Sequence, residues 1–178
     1  TTLNTRTTIE RAKFARDVGC SGLLLGRPMW CELSPDATVQ FYRNVADAVP
    51  ELGIVAYDNP SAFKRPITSW SRLAQIENFV GSKAVGLGPG YWESVRQARE
   101  SDGDMTVIQM DAYLPAAMSW HNDLPTVCWS SSVSCGPAPV MAMMDAVDDG
   151  NWERAFELTE KMAWSFETFF PNGDMAAF

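Results

Sequence analysis

The sequence predicts an α/β fold built on a parallel sheet, and three observations carry that expectation. First, short runs that are apolar throughout recur along the chain: Gly22-Leu23-Leu24-Leu25, Ile54-Val55-Ala56-Tyr57, Phe79-Val80-Gly81-Ser82, Met105-Thr106-Val107-Ile108 and Thr126-Val127-Cys128-Trp129. Second, a segment of helical periodicity follows each run. Strands covered on their faces by helices read as continuous apolar stretches, whereas half-exposed strands alternate. Third, five strands and an N-terminal stub in 178 residues fit a (β/α)8 TIM barrel, which usually takes about 250 residues, without its first strands. The competing doubly wound sheet calls for a G-x-G-x-x-G turn. Gly86-Leu87-Gly88-Pro89-Gly90 fails that spacing and sets a proline where a phosphate would need a backbone N–H. It reads as a loop and a helix start. Residues 1–178 are therefore expected to form one partial barrel domain, with a C-terminal helical extension from about residue 151.

The elements follow in order. Thr7 or Thr8 is expected to cap a first helix with the stripe Ile9, Ala12, Phe14, Ala15 and Val18, stopped by Gly19. The strand from Gly22 leads into a loop through Arg27-Pro28-Met29-Trp30. Ser34-Pro35 opens a helix with proline at its first position, striped by Val39, Tyr42, Val45, Ala46 and Val49 and closed by Pro50. Helices are expected near 67–76, 90–100, 113–120 and 138–148. A last one near 151–169 carries Trp152, Ala155, Phe156, Thr159, Met162, Ala163 and Phe166 on one face, and Glu157–Lys161 on the solvated face form a favourable i,i+4 pair. Met141, Met143 and Met144 read as core filler.

Composition narrows the function. A hydrophobic share of 46% supports a sizeable core, and a formal charge of −8 with scattered acids argues against nucleic-acid or anionic-membrane partners. No apolar stretch approaches the roughly 20 residues of a membrane span. Cys20, Cys31, Cys128 and Cys135 lack C-x-x-C spacing and His121 is the sole histidine, so no zinc site and no other metal is expected. Reduced, buried thiols are the expectation, which suits the cytoplasm.

In parallel β/α folds the active site lies at the carboxyl ends of the strands. Trp30, Tyr57, Lys83, Met110-Asp111 and Ser130-Ser131-Ser132 fall at or just past such ends. Lys83 closes an apolar run, where its charge is costly, and lowering a lysine pKa from about 10.4 to about 7–8 by burial is how imine-forming amines are prepared. Alternation places Gly81 on the side of Lys83, leaving room around the amine. Taken singly, each residue also has an ordinary role: Lys83 as a stem snorkelling to water, Tyr57 as an aromatic cap on the core, Asn59-Pro60 as a turn. Their combination favours chemistry, because consecutive strands of a parallel barrel are neighbours.

Several of these motifs resemble one family. Tyr57-Asp58-Asn59-Pro60 resembles the Tyr-Asn-x-Pro segment, and Val80-Gly81-Ser82-Lys83 the lysine-bearing strand, of the dihydrodipicolinate synthase / N-acetylneuraminate lyase class I aldolases. Pro28-Met29-Trp30, Val39-Gln40-Phe41-Tyr42-Arg43, Trp129-Ser130-Ser131 and Cys135-Gly136-Pro137 are similar to its hydratase-aldolase branch, which cleaves benzylidene-pyruvates during aromatic-hydrocarbon breakdown. The resemblance implies that Lys83 holds a 2-oxo acid as an imine, with no metal or organic cofactor, and that Tyr57 moves protons for imine formation and retro-aldol cleavage. It implies that Trp30 packs on the substrate's aromatic part, that Asn59 and Ser130 bond the acid or the added water, and that Asp111 is a candidate to activate that water. An aromatic aldehyde and pyruvate would be the products, and a homotetramer the assembly. Two departures stand out. The Gly-Thr-Thr-Gly-Glu-type carboxylate loop has no counterpart, Thr1-Thr2 not being it, so the first two strands are expected to be missing. Gln109-Met110-Asp111 also replaces a more polar stretch. Another branch acting on a sugar acid or amino-acid aldehyde, and a non-catalytic acid-binding barrel, are the alternatives.

Overall fold

A computed structural model describes residues 3–101, 105–121, 123 and 125–169, the side chains of 164–169 excepted. The expectations for Thr1-Thr2 and for the Phe166 side chain fall outside the described residues. Among the described residues the chain forms five strands, β1 (Gly22–Leu25), β2 (Gly53–Tyr57), β3 (Phe79–Lys83), β4 (Thr106–Met110) and β5 (Cys128–Trp129). Seven helices accompany them: α1 (Thr5–Asp17), α2 (Pro35–Ala48), α3 (Trp70–Leu73), α4 (Pro89–Glu100), α5 (Leu114–Trp120), α6 (Pro137–Asp148) and α7 (Trp152–Phe169). All pairings are parallel and each strand pairs with its neighbours in sequence. Among the described residues the strand order runs β1 to β5 without the reversal that makes the switch point of a doubly wound sheet.

The chain divides into two compact units, residues 1–108 and 109–178. The core of the first is the inner face of α2 against β2 and β3. Tyr42, Val45, Val49, Ile54, Leu73 and Phe79 are almost fully buried there, and Tyr42 meets Phe79 edge-to-face at 5.2–5.4 Å spacing together with Phe41. Ser34 caps α2 by accepting from the Ala37 N–H, with Pro35 in the first turn. Past the other end of α2 the Asn78 amide donates to the carbonyls of Val49, the C-cap, and of Leu52 in the following turn, at 3.1 and 2.9 Å.

The β2–β3 ladder is irregular, and its irregularity matters. Ile54 is opposite Phe79, but Val55 is opposite Gly81, so Val80 is an extra residue in β3. A bulge of one residue shifts everything beyond it by one place. Tyr57 is thereby opposite Lys83. The flanking pairs depend on glycine: a Cβ on Gly81 would sit 2.8 Å from the Thr106 carbonyl oxygen of β4, and one on Gly22 of β1 2.9 Å from that of Gly53 in β2.

The second unit is held by Leu114, Met118, Val140, Met143, Ala146, Val147, Ala155, Leu158 and Met162. Gly150, at φ +67°, ends α6, and its N–H and that of Asn151 return to the Val147 and Ala146 carbonyls. Asn151 then caps α7 by accepting from the Arg154 N–H. Gln109 and Met110 of β4 pair with Cys128 and Trp129 of β5.

Some expectations are corrected. The cap of α1 is Asn4, whose side chain accepts from the Thr7 N–H at 2.9 Å, because an Asx oxygen one turn earlier starts the helix before either threonine. Phe14 and Val18 are exposed, and so are Met141 and Phe156. The helix expected near 67–76 shrinks to α3, since the Ile67 N–H is taken by the Asp58 carboxylate. The last strand is two residues long. The four thiols are free, but Cys20 and Cys135 are exposed and Cys31 and Cys128 half-buried, so buried cysteines were the wrong expectation. The glycine-rich stretch is a loop and helix start as expected, with Gly86 at φ +87° and Gly88 as the N-cap of α4.

Gly81→Ala is expected to lower unfolding free energy by about 1–3 kcal/mol through overpacking against β4. Gly90→Ala, where a Cβ meets open space inside α4, is expected to raise it by about 0.4–1 kcal/mol. Urea unfolding of the two variants measures the contrast.

Candidate active site

Tyr57 and Lys83 are the last residues of neighbouring strands, facing one another across the ladder. The Lys83 ammonium lies 5.2 Å from the centroid of the Tyr57 ring, a cation–π distance worth about 0.5–2 kcal/mol depending on desolvation. Asn59 donates from Nδ2 to the Tyr57 hydroxyl at 2.9 Å and accepts from the Ser61 N–H through its other side-chain atom. The phenol therefore has an oriented donor on one side and the amine over its ring. Three of the residues singled out from the sequence, Tyr57, Asn59 and Lys83, thus come together. Of the three, Lys83 lines a cavity of about 200 Å³, with Asp58, Ile67, Trp70, Ser82 and Tyr91 among others.

Trp30 lies in the loop after β1. It is exposed and donates its indole N–H to the Leu3 carbonyl at 2.7 Å, which fixes the ring's direction while leaving its faces open.

Asp111 and Ser130 form a separate polar cluster in the second unit. Asp111 is buried just past the end of β4. One carboxylate oxygen accepts from the Ala112 N–H at 2.8 Å; the other accepts from the Ser130 hydroxyl at 2.6 Å and the Ser132 N–H at 3.2 Å. Ser130 in turn accepts from the Val133 N–H. The carboxylate acts as the hub of its own loop, orienting the Ser130 hydroxyl.

Sequence reasoning missed Arg27 and did not assign Asp58. Arg27, two residues past β1, makes a 2.7 Å ion pair with Asp58, their side chains only 5% and 12% exposed. The guanidinium also donates to the Arg65 carbonyl and lies 4.3 Å above the Phe63 ring. Tyr42 sits beneath this pair. Its hydroxyl donates to the Leu25 carbonyl at 3.0 Å, and burial pushes its pKa well above the ordinary tyrosine value, against the pull of Arg27. The available signal was two opposite charges, each just past the end of an apolar strand predicted to be adjacent.

A parallel β/α succession of this kind is shared by a known group of proteins. Residues 2–176 match the dihydrodipicolinate synthetase family, and the chain belongs to it. It is 38% identical to the trans-2'-carboxybenzalpyruvate hydratase-aldolase of Nocardioides sp. (strain KP7), over 99% of this chain and 54% of that protein. It is 35% identical to the trans-O-hydroxybenzylidenepyruvate hydratase-aldolase of Pseudomonas aeruginosa, over 100% of this chain and 54% of the relative. Among solved structures, PhdJ bound to a substrate intermediate matches with a TM-score of 0.90 at 36% identity, over 98% of this chain and 55% of that one. The chain thus spans about half the length of the relatives it matches, and its fold is the corresponding portion of a (β/α)8 barrel. Among the described residues no helix is long and apolar enough to cross a membrane.

One chemical property of the second unit can be checked directly. Burial, with the Asp111 charge adding to it, pushes the Cys128 thiol up to about 11, so almost none of it is thiolate at pH 8. Iodoacetamide at that pH is expected to label the exposed Cys20 and Cys135 well before Cys128, as peptide mass spectrometry over a time course would show.

Proposed function

We propose that this chain carries the catalytic lysine of a pyruvate-dependent class I hydratase-aldolase that hydrates and cleaves an aromatic benzylidene-pyruvate to an aromatic aldehyde and pyruvate. The observation that carries this reading is the placement of the Lys83 amine over the Tyr57 ring at the ends of paired strands. Likeness to the hydratase-aldolases supports the substrate class.

In this mechanism the Lys83 amine, in its neutral form, adds to the ketone carbon of the 2-oxo acid. Loss of water gives a protonated imine. A second water adds across the conjugated carbon–carbon double bond, its hydroxyl going to the aryl-bearing carbon and its proton to the neighbouring carbon. The imine nitrogen then accepts the electron pair released when the bond between those two carbons breaks. This leaves an enamine that is protonated at carbon and hydrolysed to pyruvate and the free Lys83 amine. Tyr57 takes the proton from the attacking amine, returns it to the departing water, and takes the proton of the substrate's alcohol as the aldehyde forms. Asn59, donating to the phenol oxygen, stabilises negative charge that develops there. Trp30 offers an open indole face for the aromatic ring. The family resemblance assigns Ser130 to the polar groups of the acid or the added water and Asp111 to activation of that water; within the second unit the Asp111 carboxylate orients the Ser130 hydroxyl. The imine supplies the electron sink, so the chemistry asks for no metal or organic cofactor. Reduced thiols suit a cytoplasmic enzyme, and a homotetramer is the assembly that the family resemblance suggests.

Incubation with pyruvate and borohydride, followed by mass spectrometry, is expected to trap a covalent adduct on Lys83. Lys83→Ala should abolish it, and an adduct elsewhere or none at all on the active protein would overturn the reading. Tyr57→Phe is expected to slow turnover by about 10²–10⁴-fold, measured as pyruvate release from a benzylidene-pyruvate.

A further inference from the structure

We propose that the buried Arg27–Asp58 ion pair is a positioning device that holds the Tyr57 phenol against the Lys83 amine. The proposal rests on the acid–base role given to Tyr57 above, and it adds two residues, Arg27 and Asp58, that act by holding the backbone beside the phenol.

Asp58 lies between Tyr57 and Asn59, the two residues joined by the 2.9 Å bond to the phenol. Both of its carboxylate oxygens are committed to protein donors. One takes the Arg27 guanidinium at 2.7 Å, and the other takes the Ile67 N–H at 2.8 Å. Arg27 is equally committed, to Asp58, to the Arg65 carbonyl and to the face of Phe63. The pair thus ties together the end of β1, the end of β2 and the loop of residues 59–69. That is the backbone from which Tyr57 and Asn59 project.

A fold gains little stability from such a pair. Removing two charges from water costs about what their attraction returns, and apolar residues of the same size often serve as well. What an ion pair with forked geometry does supply is a fixed distance and angle. Here the fixed element is one residue from the phenol. Displacement of a reacting group by about 1 Å can cost about 10²-fold in rate, so the anchor bears directly on the chemistry. The pair is also electrically neutral, so it rigidifies the segment without placing a net charge beside the Lys83 ammonium.

The test uses the active protein labelled with 13Cζ-tyrosine, the Tyr57 resonance being assigned by its loss in Y57F. Arg27→Lys keeps the cation, and with it a folded protein, but lacks the fork that reaches both Asp58 and the Arg65 carbonyl. Asp58→Asn removes the charge at constant shape. Each is expected to shift or broaden the Tyr57 resonance and to lower kcat by about 10–100-fold with KM changed less than about 2-fold. In the Y57F background the same substitutions are expected to cost less than about 2-fold, since their effect passes through the phenol. An unmoved Tyr57 resonance in Arg27→Lys and Asp58→Asn overturns the proposal, and so does an equal loss with and without the Tyr57 hydroxyl. Should Y57F itself be fully active, it is the acid–base role that fails, and the resonance still decides whether the pair positions the ring.

Discussion

The register of one strand pair governs what this chain can do. Tyr57 and Lys83 are opposite each other only because β3 carries one residue more than β2 between Phe79 and Gly81. Side chains on a strand alternate between faces, so a shift of one place exchanges the residues that look inward for those that look outward. Regular pairing from Ile54 and Phe79 onward would set Tyr57 against Ser82, with amine and phenol on different faces. The bulge at Val80 is what sets the two side chains opposite each other. On the other side of β3, the missing Cβ of Gly81 lets β4 approach to within the space that a methyl group would fill.

Around that constraint the polar groups are arranged by how fully each is committed. Asp58 and Asp111 are both buried or nearly so, and each spends both oxygens on protein donors. Buried carboxylates of this kind build loops. The hydroxyl of Tyr57 and the side chain of Asn59 are only half-buried and have capacity left for a ligand. The division separates groups that hold the backbone still from groups that retain hydrogen-bonding capacity.

Much of this was legible in the sequence. The β/α rhythm, the order of the strands and the Ser34-Pro35 start of α2 follow from local patterns, which obey short-range rules of capping and periodicity. The proximity of Tyr57 and Lys83 was legible too, from the adjacency of consecutive strands, although the bulge that realises it leaves no mark in composition. Other features depend on partners distant in sequence. Asn4 displaces Thr7 and Thr8 as cap because of backbone geometry that the residues alone do not distinguish. Phe14 fits the apolar stripe of α1 and is nevertheless exposed, since periodicity tells which residues share a face but not what covers it. The ion pair of Arg27 joins residues 31 positions apart, one of them in what reads as an ordinary loop.

That ion pair also constrains how the protein can drift. Losing either partner strands the other's charge in a low-dielectric site, a defect of roughly 3–5 kcal/mol against a total stability of only about 5–15 kcal/mol. Single substitutions that remove one of the two charges therefore cross a deep fitness valley, whereas a paired exchange to matched neutral residues does not. Among descendants of this gene the two positions should be inherited as a couple, changing together or staying as they are.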